Sequence, residues 1–390
     1  MNDLRSANLK GKIVALRCDL NVPTDSLGSV TDDTRILAAL PTLEYIAAAE
    51  AKVLLFAHFK RPKGCIDPTM SLQGLGTVIS AHLGRRVEFA TDCIGAPVMD
   101  ALRRIQVGEV VLAENVRFHS GEIENDPKFA QALAAPADVY VNDAFGAAHR
   151  SHASVVGLAN LLPAYPGFLL RSEVETLTIR LEDPKRPLVA VIGGAKISTK
   201  LGVVCALLDK VDALLLGGGM ANTFLASQGH NMQQSLMEAQ MVTEARDIMD
   251  LAKFKGVHIA LPTDGVMGSD TSEDPRIETH QVTRIPVGWA MFDIGPISAD
   301  HFSTYLAEAG TVVWNGPMGM AERPAFAKGT IKIAQAVSTS LGYSIVGGGD
   351  SVAALKKTGL LDSVDHVSTG GGASLELLEG KLLPGLAALE

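Results

Sequence analysis

Short runs of aliphatic and β-branched residues alternate with stretches of helical periodicity along the whole chain. This βαβ rhythm favours parallel sheets whose strands are joined by helices on both faces. Strands are predicted at residues 12–18, 53–56, 110–112, 139–142, 188–192, 213–216, 258–261, 311–314, 343–346 and 366–368. We therefore expect an α/β fold built from doubly wound, Rossmann-like parallel sheets.

The length of 390 residues exceeds the size at which one hydrophobic core usually stops growing, so two domains are expected. The strands of the two halves are separated by proline-rich segments at residues 163–168 and 183–187, with a helical pattern between them. This arrangement predicts an N-terminal domain at residues 1–170, a connecting helix at 171–185 and a C-terminal domain at 186–390.

The formal net charge of −9 argues against nucleic acid or an anionic membrane as the main partner, because such partners select a basic surface. Arginines make up 12 of the 18 basic residues before residue 181, but only 5 of the 16 after it. The planar guanidinium group suits bidentate binding of phosphate or carboxylate. We expect the first half to bind an anionic small molecule.

The four cysteines, Cys18, Cys65, Cys93 and Cys205, form no Cys-x-x-Cys pair and are too sparse for a disulfide framework or a thiolate metal site. Residues 1–10 lack the apolar stretch of an export signal, and no apolar run reaches the roughly 18 residues of a membrane span. These features predict a soluble protein of a reducing compartment, the cytoplasm.

Five predicted strands of the second half run into glycine, where backbone N–H groups can approach phosphate at the carboxyl ends of a doubly wound sheet. A single strand that runs into glycine often reflects only the conformation of a turn, but five such strands together indicate phosphate binding. The glycines are Gly193 and Gly194, Gly217, Gly218 and Gly219, Gly316, Gly347, Gly348 and Gly349, and Gly370, Gly371 and Gly372. Neither a Walker A pattern nor Gly-x-Gly-x-x-Gly occurs, so a nucleotide must be held in another way.

Lys196 and Lys200 follow the first glycine turn, and Lys200 is expected in the first turn of the next helix. Cations are unfavourable at a helix N-terminus, so their position indicates a bound polyanion. Solvated surface lysines are the alternative interpretation.

Polar side chains lie at or just past four predicted strand ends of the first half. In one parallel sheet they would converge on its carboxyl edge and could bind a small phosphorylated acid. They are Asp19, Asn21, His58, Arg61, Arg117 and Arg150. In contrast, His119, His149 and His152 are interpreted as structural or surface groups, and Asp32 and Asp33 as first-turn acids of the helix after Thr31.

Nine segments, weak singly but specific in this order, resemble the phosphoglycerate kinase family over essentially the whole chain. They are Arg-Cys-Asp-Leu-Asn-Val-Pro (17–23), Thr-Asp-Asp-Thr-Arg (31–35), Arg-Phe-His (117–119), Val-Asn-Asp-Ala-Phe-Gly-Ala-Ala-His-Arg (141–150), Gly-Gly-Ala-Lys (193–196), Gly-Gly-Gly-Met-Ala-Asn-Thr-Phe (217–224), Trp-Asn-Gly-Pro-Met-Gly (314–319), Gly-Gly-Gly-Asp-Ser (347–351) and Ser-Thr-Gly-Gly-Gly-Ala-Ser (368–374). The resemblance implies a glycolytic, magnesium-dependent transferase, acting between ATP and the carboxylate of 3-phosphoglycerate.

For the N-terminal domain the resemblance implies that Asp19, Asn21 and Arg35 bind the hydroxyl and carboxyl end of 3-phosphoglycerate, and that His58, Arg61, Arg117 and Arg150 bind its phosphate. For the C-terminal domain it implies that Lys200, Glu322 and the loop Gly347, Gly348, Gly349 and Asp350 bind the nucleotide, with Asp350 also reaching Mg²⁺. Gly217, Gly218, Gly219 and Pro317 would lie near the adenosine. Lys196, Arg35, Gly371 and Gly372 would contact the transferred phosphoryl group.

The resemblance also implies a monomer, closure of the two domains about a hinge, and packing of the last residues against the N-terminal domain. One departure from the family pattern is Phe59-Lys60, which stands where Leu-Gly is common. Another is Met320-Ala321, which precedes Glu322 where an aromatic residue is usual, and Thr199 replaces a frequent aspartate.

Two other classes of protein share parts of this pattern. A nicotinamide-dependent dehydrogenase also pairs α/β domains, but it needs a dinucleotide fingerprint that is missing here. A two-domain binding protein could close on a phosphorylated acid without catalysis, although such proteins normally carry an export signal.

Overall fold

The computed structural model describes residues 1–26, 28–269 and 275–390. These residues divide into two units, of which the first comprises Met1–Glu175 and Leu382–Glu390 and the second Thr176–Lys381. The chain passes from the first unit to the second within the helix Phe168–Leu177 and returns after Lys381. No helix among the described residues is long and apolar enough to cross a membrane.

The first unit contains a six-stranded sheet in which all neighbouring strands are parallel. Its strands are β1 (Ile13–Arg17), β2 (Lys52–Phe56), β3 (Val87–Ala90), β4 (Val110–Ala113), β5 (Val139–Asn142) and β6 (Ala164–Pro166), in the order β3-β4-β2-β1-β5-β6. Its helices are α1 (Thr34–Ala48), α2 (Leu75–Leu83), α3 (Ala96–Arg104), α4 (Ser120–Glu124), α5 (Pro127–Ala134), α6 (Leu158–Leu161) and the outgoing α7 (Phe168–Leu177). The apolar central strands are almost wholly buried, as a sheet covered on both faces requires.

The second unit contains another six-stranded parallel sheet, ordered β15-β14-β13-β7-β8-β9, and a three-stranded antiparallel sheet, ordered β11-β10-β12. Its strands are β7 (Leu188–Ile192), β8 (Ala213–Leu216), β9 (His258–Ala260), β10 (Asp264–Gly268), β11 (Ile277–Gln281), β12 (Ala290–Ile294), β13 (Thr311–Asn315), β14 (Tyr343–Gly347) and β15 (His366–Val367). Its helices are α8 (Ile179–Glu182), α9 (Leu201–Leu207), α10 (Gly218–Ser227), α11 (Val242–Lys255), α12 (Pro296–Glu308), α13 (Lys328–Ser338), α14 (Gly349–Thr358) and α15 (Gly372–Leu378), after which α16 (Pro384–Ala387) returns to the first unit.

The two parallel α/β sheets confirm the predicted fold class. Sequence reasoning missed β3 and β6, which are the two edge strands of the first sheet. β6 contains Pro166 and follows Pro163, and two prolines in so short a segment predict a break in the chain, whereas proline is tolerated at a sheet edge. The antiparallel sheet was also missed, because β10 contains two glycines and β11 is mostly exposed.

Candidate active site

The carboxyl edge of the first sheet carries a buried cluster of polar side chains. Asp19 follows β1, His58 follows β2, and Arg117 lies in a short 3-10 helix after β4. Because β1, β2 and β4 are parallel and adjacent, their carboxyl ends meet at one edge. The three residues are only 8%, 7% and 7% exposed. The charge of the partly buried Arg150 acts on Arg117 as well.

Arg17 is fully buried, and its hydrogen bonds hold this cluster together. Its Nε donates to Ser154 Oγ at 2.9 Å, and its Nη1 donates to the carbonyl oxygen of Cys18. Its Nη2 lies 3.1 Å from His58 Nδ1. A guanidinium group can only donate, so Nδ1 must be the acceptor and the proton of a neutral ring lies on Nε2. The N–H donor of His58 therefore lies on Nε2.

The charges of the cluster act on one another. Burial lowers the pKa of His58 well below its usual value, and Arg17, Arg117 and Arg35 lower it further against the opposing effect of Asp19. Burial likewise lowers the pKa of Arg117 to about 10, with repulsion from Arg17 adding to the effect. Surplus positive charge at this edge favours the binding of an anion.

Arg35 is the second residue of α1 and forms an ion pair with Asp19. Burial opposes ionisation of Asp19, but His58, Arg35 and Arg17 outweigh it and lower its pKa. The prediction that Asp32 and Asp33 are first-turn acids is wrong, because α1 begins at Thr34. Asp33 is its N-cap, and Asp32 accepts hydrogen bonds from the backbone N and the hydroxyl of Thr34.

Lys60 shapes the cluster through its backbone. Its N–H donates to Asn21 Oδ1 at 2.8 Å, and its carbonyl oxygen accepts from Arg117 Nη1 at 2.9 Å. Its φ of 53° lies in the left-handed region, which explains why glycine suits this position. Its side chain donates to the carbonyl oxygen of Thr69, and Arg61 is exposed.

In the second sheet the order of strands reverses between β7 and β13, since β8 and β9 lie to one side and β14 and β15 to the other. Ligands of α/β sheets bind at such a switch point. Lys200, which follows β7, reaches across it, and its Nζ donates to Gly193 O at 2.7 Å, to Asn315 O at 3.0 Å and to Asn315 Oδ1 at 2.6 Å. Burial lowers the pKa of Lys200 to about 8, although the charge of Asp350 opposes this.

The glycine turns of this edge pack backbone against backbone. A Cβ on Gly193 would lie 2.0 Å from the carbonyl oxygen of Pro317, and one on Gly218 would lie 2.6 Å from that of Gly194. Side chains are therefore excluded where the turns after β7, β8 and β13 meet. Gly217 is the N-cap of α10, Gly348 that of α14 and Gly371 that of α15. Gly219, Gly349 and Gly372 lie in the first turns of these helices, and Gly347 is the last residue of β14.

Three charged residues that the sequence predicts for the site of the second unit are exposed at the surface, namely Lys196, Glu322 and Asp350. Lys200 is the N-cap of α9, so the prediction that it lies in the first turn is wrong, and Asp350 is the second residue of α14. The error arises because α9 begins at Leu201, one residue after Lys200. α14 ends at Thr358, and Gly359 follows as its C-cap.

Sequence reasoning quoted Arg17 and Asn315 within motifs but assigned neither a role. Both lie at the last residue of a strand, where alternation predicts only burial. Their side chains become informative once strand order is known, because Arg17 then faces His58 and Asn315 faces Lys200.

The first unit thus has buried cations at its sheet edge, and the second has a lysine among glycine turns at a switch point. These features are typical of enzymes that transfer phosphoryl groups between small anions. The family model described as phosphoglycerate kinase matches residues 3–381. The chain is 51% identical over 386 residues to a phosphoglycerate kinase of Moorella thermoacetica, covering 99% of this chain and 98% of that protein. The one from Acaryochloris marina is 48% identical, with 100% and 98% covered.

Solved structures give the same result. The phosphoglycerate kinase from Coxiella burnetii superposes with a TM-score of 0.89 at 42% identity, and that from Pyrococcus horikoshii with 0.85 at 31% identity. In both, all of this chain and 98% of the other are covered. The chain belongs to the phosphoglycerate kinase family, and it is a phosphotransferase. Neither the dehydrogenase nor the non-catalytic binding protein is supported.

The left-handed backbone of Lys60 predicts an inverted order of stability for two variants. Lys60→Gly and Lys60→Ala both remove the side chain, but only alanine keeps a Cβ in the left-handed region. We expect the glycine variant to be more stable by about 1 kcal/mol, although glycine is normally the less favourable of the two. Urea unfolding followed by circular dichroism measures the difference, and equal stability or a more stable alanine variant would contradict this account.

Because burial lowers the pKa of His58, we expect its ring to stay neutral near pH 6.5, where an ordinary histidine titrates. The hydrogen bond from Arg17 Nη2 to Nδ1 predicts that the proton of this neutral ring lies on Nε2. Because the pKa of His58 is lower in the folded chain, the unfolded chain binds more protons as the pH falls below about 6.5, and His58 contributes a loss of stability there. Histidine ¹⁵N NMR should show a non-titrating ring whose signals disappear in His58→Gln. A ring protonated on Nδ1 in this pH range would refute the assignment.

Proposed function

We propose that the chain catalyses reversible phosphoryl transfer between ATP and the carboxylate of 3-phosphoglycerate, giving ADP and 1,3-bisphosphoglycerate, with the acid bound by the first unit and the nucleotide by the second. The activity is that of the family, and the observation that carries the assignment of roles is the surplus of buried positive charge around His58 and Arg117. Such a cluster needs an anion, and a phosphorylated acid supplies two.

In the first unit, His58, Arg61, Arg117 and Arg150 bind the phosphate of 3-phosphoglycerate, while Asp19, Asn21 and Arg35 bind its hydroxyl and carboxyl end. The donor on His58 Nε2 suits a phosphate oxygen, because a neutral imidazole adds a hydrogen bond without further repulsion among the arginines. Asn21 and Arg117 are supported by the backbone of Lys60, which gives the two ends of the substrate a fixed separation.

In the second unit, Lys200, Glu322 and the turn of Gly347, Gly348, Gly349 and Asp350 bind the nucleotide. Gly217, Gly218, Gly219 and Pro317 lie against the adenosine. The support for this is the switch point itself, where Lys200 is held by neutral oxygens and retains its charge for phosphate. Lys196, Arg35 and the backbone N–H groups of Gly371 and Gly372 stabilise the transferred phosphoryl group.

No general base is needed for the transfer. A carboxylate with a reference pKa of roughly 4 is already ionised at neutral pH, so the nucleophile is ready when it binds. Catalysis then consists of alignment for in-line attack and neutralisation of the charge on the equatorial phosphoryl oxygens by Lys196, Arg35 and the glycine N–H groups.

The donor set around Asp350 fits a magnesium ion. Mg²⁺ keeps several waters and takes one or two carboxylates together with substrate phosphates, and Asp350 is an exposed carboxylate in the same turn as the proposed nucleotide site. When bound, the ion neutralises phosphate charge. We further propose a cytoplasmic monomer whose two units close on both substrates, since an acyl phosphate must be protected from water.

The proposal is tested by measuring ADP formed from MgATP and 3-phosphoglycerate in a coupled assay. ADP should appear only when both substrates and the enzyme are present. A protein that binds 3-phosphoglycerate without producing ADP would be a binding protein and not a kinase.

Arg35→Lys should lower kcat by at least tenfold, and orders of magnitude are expected, because lysine keeps the charge but loses the planar fork that bridges two anions. The melting temperature should change little, since lysine can still pair with Asp19. Arg171→Lys is the matched control, because Arg171 also forms ion pairs in the first unit, with Asp3 and Glu175, outside the cluster. Normal turnover in Arg35→Lys would make its pair with Asp19 purely structural.

Asp350→Asn should raise the magnesium concentration needed for half-maximal rate and lower turnover strongly, because a neutral amide is a poor ligand for Mg²⁺. Loss of one acid from the first turn of α14 costs at most about 1 kcal/mol of stability. Glu244→Gln removes the equivalent charge from the first turn of α11 and serves as the control. An unchanged magnesium dependence in Asp350→Asn would rule out the metal role.

Nucleotide binding should take up protons near pH 8, where Lys200 is half-protonated. Phosphates beside the ammonium group favour its charged form and raise its pKa. Calorimetric titration with ADP in buffers of different ionisation enthalpy measures this uptake. Lys200→Arg, which is charged at every accessible pH, should abolish it; uptake that persists in this variant would assign the proton to another group.

A further inference from the structure

A second cluster of ligating side chains lies at the same edge of the first sheet, around Asp92, Cys93 and His119. Asp92 and Cys93 follow β3, and His119 follows the 3-10 helix after β4. β3 and β4 are parallel neighbours, so the two segments meet. One ligand atom from each residue, namely a carboxylate oxygen, the thiol sulfur and a ring nitrogen, lies within 4.8 Å of the other two.

The cluster is already ordered. His119 Nε2 lies 2.7 Å from Asp92 Oδ1, and the same oxygen accepts a 2.6 Å hydrogen bond from the backbone N–H of Cys93. The ring of His119 stacks on Phe129 with centroids 5.0 Å apart. The side chains of His119 and Asp92 are 33% and 37% exposed, whereas Cys93 is 1% exposed. The thiol thus lies at the inner end of a site whose other two ligands face solvent.

We propose that Asp92, Cys93 and His119 form a binding site for Zn²⁺ with one coordination position left for water. Thiolate, imidazole and carboxylate are the ligand types of zinc, whereas Mg²⁺ takes oxygen alone. Tetrahedral Zn²⁺ with bonds of about 2.0–2.3 Å needs ligand atoms about 3.3–3.7 Å apart. The nitrogen of His119 and the oxygen of Asp92, 2.7 Å apart, must therefore separate slightly, while the other separations, at most 4.8 Å, must shorten by up to roughly 1 Å.

Binding releases the proton of the Cys93 thiol to solvent. The proton that joins His119 Nε2 to Asp92 Oδ1 moves to His119 Nδ1, so that Nε2 and the carboxylate oxygen each exchange their mutual hydrogen bond for a bond to the metal. Burial raises the pKa of Cys93, and the carboxylates of Asp92 and Glu122 raise it further, so the thiol is protonated in the metal-free protein. A directly bound dication stabilises the thiolate instead, because its positive charge outweighs these effects.

The alternative is a histidine–aspartate pair beside a buried thiol that packs as a small apolar group. The first unit offers a matched pair without a thiol, because His82 Nε2 lies 2.9 Å from Asp33 Oδ2. It also offers an exposed cysteine, Cys65, outside the cluster. These residues supply controls for the imidazole, the carboxylate and the thiol separately. The proposed zinc site is independent of the kinase activity and of Asp350.

The experiment is a titration of the reduced, chelator-treated full chain with Co²⁺, which gives a thiolate-to-cobalt charge-transfer band in the near ultraviolet and is displaced by Zn²⁺. The wild type should show the band at one equivalent. Cys93→Ser should abolish it, and His119→Gln or Asp92→Asn should weaken the affinity at least tenfold. Cys65→Ser and His82→Gln should retain it. No band in the wild type, or a band that survives Cys93→Ser, would overturn the proposal.

A second measurement requires no substitution. Zn²⁺ should protect Cys93 from alkylation in partly unfolding urea, as mapped by mass spectrometry, while Cys65 stays reactive. Equal modification of Cys93 with and without Zn²⁺ would count against the site even if a variant failed to fold.

Discussion

The geometry of the first unit depends on the buried guanidinium group of Arg17. An unpaired charge in such a place would cost several kcal/mol, so every donor must find an acceptor. Ser154 Oγ, the Cys18 carbonyl and His58 Nδ1 supply three of them. Ser154 in turn donates from both its N–H and its hydroxyl to the buried carboxylate of Glu122, which brings the compensating negative charge. Meeting these requirements orients His58 and joins α4 to the carboxyl end of β1.

The carboxyl edge of the second parallel sheet is built in a different way. Its switch point is built from backbone, because the turns after β7, β8 and β13 approach too closely for side chains. A single lysine crosses this surface and is bonded to carbonyl and amide oxygens. Side-chain charge dominates the edge of the first sheet, which agrees with the proposed binding of a small acid with two anionic ends. Peptide dipoles dominate the edge of the second sheet, which agrees with the proposed binding of a flexible polyphosphate there.

The fold class and the buried strands could be predicted from sequence, because strands covered on both faces must be continuously apolar. Edge strands could not: β6 contains proline, and β11 has little to bury. Motifs marked segments that lie at the carboxyl edges of the two parallel sheets, but not the partners that Arg17 and Asn315 find on other strands. The spacing of cysteines in the sequence could not predict the cluster of Asp92, Cys93 and His119 either. Its members are brought together by the pairing of β3 with β4 and not by proximity in the chain.

The return of Leu382–Glu390 to the first unit has a consequence for synthesis on the ribosome. Leu383 and Leu386 are buried. The N–H of Gly385 donates to the carbonyl oxygen of Ala148 at 2.8 Å, and the surface of Ala148 and Val155 lies so close that it leaves no room for a Cβ on Gly385. This segment is translated after the whole second unit. Until this segment is translated, the nascent first unit exposes the apolar surface beside Ala148 and Val155 that the segment later covers. The second unit needs no later segment and can complete its fold first. The first unit thus leaves the ribosome first but completes its fold last.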